Sequence, residues 1–271
     1  MRKLIYLLPF CMIFFTCEDV IDVDLQNETP RLVIDASLDW VKGTAGDQQI
    51  IKLSLSAPFY SDTIIPANGA TVMVKDSNDN IFSFIEETDT GLYVNNSFIP
   101  AINETYNLSI VYNNETYLAT ETMLPVSNID YVEQKNDGGF SGEEIEIKAF
   151  YKDPQGIENF YLFEYFNTSH GTLSLEVYDD EFTDGNEIFG FHTDENLEAG
   201  NIMNIRSYGI SSRNYEFMNI LLQQTDNENG DPFEAQPVAV RGNCINQTNP
   251  DNFPYGYFRT SEVSEFLYTV E

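Results

Sequence analysis

Between Pro30 and Pro125, short runs of alternating apolar and polar residues are interrupted by turn-forming clusters, and that alternation commits the stretch to strands. Arg31-Leu32-Val33-Ile34-Asp35-Ala36 leads in, and Gln49 to Ser56 alternates from Ile51 onward, as a strand buried on one face requires. Ala70 to Lys75 and Ile81 to Ile85 flank the polar loop Asp76-Ser77-Asn78-Asp79-Asn80, which has the length and composition of a hairpin turn. Thr105 to Tyr112 and Thr116 to Thr120 flank Asn113-Asn114-Glu115 and predict a second hairpin. Strands and turns at this spacing predict a β-sandwich over residues 30–125.

Leu124-Pro125-Val126-Ser127 is a proline-bearing link, so residues 126–271 are read as a second, β-rich domain. Its strands are expected at Glu144 to Tyr151, Asn159 to Asn167, Leu173 to Tyr178, Ile188 to His192 and Met203 to Tyr208, with Asp153-Pro154-Gln155-Gly156 turning between the first two. On the second of these, alternation puts Tyr161, Phe163 and Tyr165 on one face and Phe160, Leu162 and Phe166 on the other, as in a strand covered on both sides. The period then changes: Tyr215, Met218 and Leu222, widened by Phe217 and Leu221, predict one short helix over about 213–224, with Ser212 as its cap.

The chain opens with Arg2-Lys3, an apolar run from Leu4 to Phe15, then Thr16-Cys17 and the acidic stretch Glu18 to Asp24. A dozen residues make a helix of roughly 18 Å, short of the ~30 Å hydrocarbon core of a bilayer. Residues 1–16 therefore read as a signal peptide, and Cys17 as a lipid-attachment site followed by an acidic tether over 17–29. The bulky Phe15 departs from the usual lipobox, but the rival Cys11 lies inside the apolar run and would leave it partly uncut.

Charge narrows the partners. The chain carries 13 Lys and Arg against 44 Asp and Glu, a formal net charge of −31. Such a field disfavours nucleic acid and a polybasic membrane mode, although scattered acids also serve simply to keep an exported protein soluble. With Cys17 acylated only Cys244 remains in the mature chain, so no intramolecular disulfide can form and stability must come from a packed core.

The start, with Val20-Ile21-Asp22-Val23-Asp24-Leu25 and Pro30-Arg31-Leu32-Val33-Ile34-Asp35, resembles that of the Bacteroidota outer-membrane lipoproteins classed as a domain of unknown function, number 4249. Asn68 to Val74, Thr90-Gly91-Leu92-Tyr93 and Glu104 to Leu108 look like the first domain of that family, a pattern shared with immunoglobulin-like and carboxypeptidase-regulatory-like β-sandwiches. Asp231-Pro232-Phe233, Pro237 to Asn243 and Gly256-Tyr257-Phe258 are similar to its closing motif, with Cys244 where an aliphatic residue is expected. The resemblance implies a gene neighbourhood shared with TonB-dependent receptors and implies no known chemistry. Glu18-Asp19 resembles the acidic signal that sends lipoproteins of this phylum to the outer face of the outer membrane.

Catalytic motifs are scarce. His170 and His192 have no acid or nucleophile at a recognisable spacing, Cys244 has no partner cysteine for zinc, and there is no glycine-rich phosphate loop. The loops Asp179-Asp180-Glu181 with Asp184 to Glu187, and Asp226 to Asp231, gather hard oxygen donors. Neither matches an EF-hand, so the reading is solvated acids with no metal and no cofactor, with Asp226, Glu228 and Asp231 as the calcium alternative. Phe253, Tyr255 and Tyr257 sit in a proline- and glycine-bearing loop and strand and form the candidate binding loop. Asp62-Thr63-Ile64 resembles the triplet used for protein O-glycosylation in this phylum, which marks Thr63. The functional expectation is a non-enzymatic, surface-exposed outer-membrane lipoprotein that serves as accessory or ligand-binding partner of a TonB-dependent transporter. The alternatives are a free-standing structural or adhesive surface module and, last, a carboxylate-based hydrolase.

Overall fold

The structure is a computed structural model and describes residues 29–58, 63–139, 142–225 and 240–271. Eight strands come first: β1 (Leu32–Val41), β2 (Gln49–Leu55), β3 (Ile65–Pro66), β4 (Thr71–Lys75), β5 (Ile81–Glu86), β6 (Leu92–Asn95), β7 (Thr105–Tyr112) and β8 (Glu115–Thr122). They are followed by β9 (Ile129–Gly138), β10 (Glu144–Lys152), β11 (Phe160–Asn167), β12 (Thr172–Asp179), β13 (Glu187–Asp194), β14 (Ile202–Ile210), the helix α1 (Ser212–Thr225), β15 (Ile245–Asn246) and β16 (Tyr255–Thr269). The protein is mainly β, as its alternation predicts. Among the described residues no helix is long and apolar enough to cross a membrane.

The larger sheet runs in the order β12-β11-β14-β16-β1-β2-β6-β5-β4-β7-β8-β15. It bends at β5, whose first residues pair with β4 while Ile85 and Glu86 pair with β6. The two layers so formed enclose one apolar core in which Ile34, Leu53 and Tyr93 meet Val74, Tyr106 and Ile110. Farther along, the same sheet packs against a second one, β13-β10-β9. Tyr161, Phe163 and Tyr165 of β11 close on Ile147, Ala149 and Tyr151 of β10. On the opposite face of β11, Leu162 joins Tyr208, Ile210 and Val263 under Tyr215 and Met218 of the helix. This aromatic strand is therefore covered on both sides.

The helix cap is a correction. Asn214 N–H donates to Ser211 Oγ at 3.2 Å and Tyr215 N–H to the Ser211 carbonyl at 2.9 Å, so Ser211 caps the helix and Ser212 is its first residue. Two adjacent serines offer the same local chemistry. A tertiary contact selects the first, because Ser211 Oγ also donates to Glu121 at 3.2 Å.

One strand joins both layers. β16 pairs parallel with β1 from Val33↔Tyr255 to Val41↔Val263, then antiparallel with β14 from Tyr208↔Val263 to Ile202↔Thr269. Leu124, the first residue of the link, accepts at its carbonyl from Glu262 N–H at 3.0 Å, and Val126 N–H donates to the Glu262 carboxylate at 3.0 Å, so the link is strapped to this strand. Cys244 and Phe258 enter the first core, which is thus not built from residues 30–125 alone. Close approach explains two glycines here. Gly256, at φ +88°, lies against the Ile34 carbonyl, and a methyl group at Gly242 would run into the Gly256 carbonyl.

Across the β1–β16 pair, Arg259 Nη2 donates to both carboxylate oxygens of Asp39 at 2.9 Å, and its guanidinium lies 4.3 Å from the centre of the Tyr208 ring. Burial opposes the charge on Arg259, but Asp39, together with Tyr208 and Glu164, more than restores it and the guanidinium pKa is raised. Asp39→Asn should cost roughly 2 kcal/mol, less than a fully buried pair because the Asp39 side chain is 30% exposed. The urea midpoint measures this, and adding Arg259→Met should recover much of the loss, since the unpaired charge is then gone. Gly242→Ala should cost about 2 to 3 kcal/mol through overpacking, read as a melting point lower by roughly 5 to 10 °C.

Candidate functional site

Of the residues marked from sequence, Cys17, Glu18, Asp19, Asp226, Glu228 and Asp231 lie outside the described residues. Thr63 is described and exposed, beside Ile64 at 64% exposure, while Asp62 of the same triplet is not described.

The candidate aromatic loop is tied down from two sides. Glu115, at the start of β8, accepts hydrogen bonds from Tyr117 Oη at 2.7 Å, Asn252 Nδ2 at 2.6 Å, Asn246 Nδ2 at 3.0 Å and Asn249 Nδ2 at 3.2 Å. The Tyr117 bond, and against some desolvation the three asparagine bonds, hold the Glu115 carboxyl below its ordinary value. Asn246 Oδ1 also accepts from the N–H groups of Thr248 and Asn249, which fixes the turn. Half-buried Phe253 has the Arg31 guanidinium 4.0 Å and that of Arg241 3.9 Å from its ring centre, and meets half-buried Tyr255 edge-on at 5.6 Å.

Tyr257 needs a correction, because it is 7% exposed and cannot present its ring to a ligand. It packs on Phe217 of the helix, 4.9 Å between centres, and donates to Glu121 at 3.0 Å. In register with exposed Asp35, its side chain lies on the face opposite the first core, and the helix covers it there. Glu121 also accepts from Ser211 and Asn243, and burial, only partly offset by these donors, raises its pKa.

The exposed apolar surface lies elsewhere. Phe182, in the loop between β12 and β13, is 88% exposed. Its only signal in the sequence was an aromatic isolated among acids, Glu181-Phe182-Thr183-Asp184, with no apolar neighbour to share a core. On the outer face of the β4, β7 and β8 layer, a groove of about 270 Å³ is lined by Met73, Ile81 and Leu118 with Lys75 and Asn107 at its edge. These are the outward positions of strands whose inward positions fill the first core.

Among the described residues one acidic cluster is drawn together tightly. A carboxylate oxygen from each of Asp153, Asp180 and Asp184 lies within 4.8 Å of the others. Asp153 and Asp180 are 1% and 3% exposed, while Asp184 is exposed. Burial raises the Asp180 pKa, with Asp153 and Asp184 adding to it and the Asn159 N–H opposing. The sequence marked Asp180 and Asp184 as loop donors but left Asp153 in a turn. The histidines remain apart from this cluster. His192 is buried and stacked on Tyr165 at 4.9 Å, and burial lowers its pKa. Cys244 is buried in the first core and its thiol is pushed up to about 12 by burial, so it behaves as a small apolar group.

Comparison with solved structures returns chains of low sequence identity. A two-domain fibronectin type-III segment of chicken tenascin is 11% identical, with 67% of this chain and 91% of that chain covered and a TM-score of 0.22. A DUF4785 family protein of Legionella pneumophila is 10% identical, with 66% and 52% covered and a TM-score of 0.26. The chicken interferon gamma receptor alpha chain is 10% identical, with 67% and 89% covered and a TM-score of 0.21. No curated protein matches the sequence. A family model described as "Domain of unknown function (DUF4249)" matches residues 18–266, and the chain belongs to that family.

Proposed function

We propose that this protein is a non-enzymatic lipoprotein of the outer membrane, facing the cell exterior, that acts as accessory or ligand-binding partner of a TonB-dependent transporter. The anchor in this reading is Cys17, and Glu18-Asp19 is its export signal. The transporter comes from the family resemblance. The observation that carries the binding role is the groove on the outer face of the first sandwich, where Met73, Ile81 and Leu118 present apolar side chains to solvent on a chain of formal charge −31. Ile81 is 61% and Leu118 39% exposed, an arrangement that gains little for a solitary fold and suits a surface that is covered in use.

The test is a mild-detergent pull-down of the tagged full chain from native outer membranes, with Cys17→Ala as the anchor control. One TonB-dependent receptor should be recovered in near-equal amount. Leu118→Arg should abolish that recovery while leaving the melting point within a few degrees, since the side chain faces solvent. Surface exposure without any transporter in the pull-down would move the reading to a free-standing adhesive or structural module.

A further inference from the structure

We infer that Asp153, Asp180 and Asp184 form a calcium site that clasps together two connections of the second sandwich. Asp153 opens the β10–β11 connection, and Asp180 and Asp184 lie in the β12–β13 connection. Both connections cross from one sheet to the other. They already touch through their backbones: Gly185 N–H donates to Asp153 Oδ2 at 2.9 Å, Gly156 N–H to Asp184 Oδ1 at 2.6 Å, and Asn159 N–H to Asp180 Oδ2 at 2.8 Å. Asp153 Oδ1 accepts from the Tyr161 hydroxyl at 2.5 Å. Each carboxylate keeps accepting capacity beyond these bonds.

The spacing suits one ion. Oxygens bound at about 2.3–2.6 Å from a shared calcium lie no more than roughly 5 Å apart, and the three carboxylates fall within 4.8 Å. Among the described residues no ion pair reaches any of the three acids.

The independent observation is Tyr151. Its side chain is 1% exposed, and its hydroxyl is buried without a hydrogen-bond partner. It lies beside the cluster: its ring packs edge-on at 4.8 Å against that of Tyr161, whose hydroxyl donates to Asp153. A buried polar group with no partner calls for a missing water or ion, and a hydrated cation at the three carboxylates supplies one. Two neutral oxygens in the same connections are also buried and unpartnered, Asn159 Oδ1 and Thr183 Oγ1. Carboxylate, amide and hydroxyl oxygens with no histidine or cysteine are the donors of a hard cation, not of zinc. Magnesium fits less well, because it demands near-ideal octahedral geometry and holds its waters.

The test uses the full chain in detergent with Tb³⁺ as the probe and Ca²⁺ as the competitor. Excitation of tyrosine should sensitise Tb³⁺ emission through Tyr151 and Tyr161, and Ca²⁺ should quench it. Relative to chelator, Ca²⁺ at about a hundred times its Kd should raise the melting point by roughly 5 to 10 °C. Asp184→Ala should weaken apparent Ca²⁺ affinity at least ten-fold while melting within a few degrees of the parent in chelator, because Asp184 is exposed. Asp180→Asn should weaken it likewise. The site is refuted if the parent shows neither sensitised emission nor a calcium-dependent shift. It is equally refuted if both variants keep the parent response, as diffuse binding to an acidic surface would produce.

Discussion

The structure depends on the double pairing of its last strand. β16 satisfies one edge of β1 with its first nine paired residues and one edge of β14 with its last seven, sharing Val263 between the two partners. Without it each sandwich would expose an unpaired strand edge to solvent and to other chains. The parallel half is held by more than the ladder. Arg259 crosses to Asp39, and Gly256 lets the backbone lie against Ile34 where any side chain would separate the strands. Gly242 then stacks on the Gly256 carbonyl, so the approach to β16 and the strand itself are fitted to each other.

This constraint makes the two halves interdependent. The link at Leu124 and Val126 lies along β16 through Glu262, which also meets Lys42 at 3.4 Å, so the boundary between the two cores is a fastened seam rather than a free hinge. The helix completes the seam from above. Its cap, Ser211, shares Glu121 with Tyr257 and Asn243, so one half-buried carboxylate ties β8, the helix start and the approach to β16. A carboxylate drawn out of water is costly by itself, which is why it appears where three separate segments each lend it a donor.

The sequence made the strands legible where one face is apolar and the other polar, as on Thr105–Tyr112 and Ile81–Glu86, because alternation then states both the element and its inward face. The doubly covered strand Phe160–Asn167 was legible for the related reason that both alternations are apolar. β9 was not, since Glu133, Gln134, Lys135, Asn136 and Asp137 give it almost no apolar face. The extent and pairing of β16 were hidden in a different way. Thr260, Ser261 and Ser264 are 1%, 0% and 5% exposed, so its interior positions look like a surface pattern, and its parallel partner is the first strand of the fold. The candidate site followed the same division. Ring-rich Phe253 to Tyr257 was visible as a cluster, but only the fold shows that Glu115, Arg31 and Arg241 hold it in place. Asp180 and Asp184 were visible as loop acids, and only the crossing of two connections brings Asp153 to them.

Charge then accounts for why such a cluster stays uncompensated. With 44 acids and 13 Lys and Arg, most acids have no cation to meet. The ion pairs that do form concentrate on strands: Arg259 with Asp39, Arg206 with Glu164 and Glu265, Lys148 with Glu146. There the side chains stand side by side on a pleated face, within reach of one another. Asp153, Asp180 and Asp184 instead depend on backbone N–H groups and a tyrosine hydroxyl, which orient carboxylates but bring no positive charge. Two like charges about 5 Å apart repel by roughly 3 kcal/mol at an effective dielectric of 20. Dipoles that hold three of them in place therefore preserve a repulsion that a bound cation would relieve.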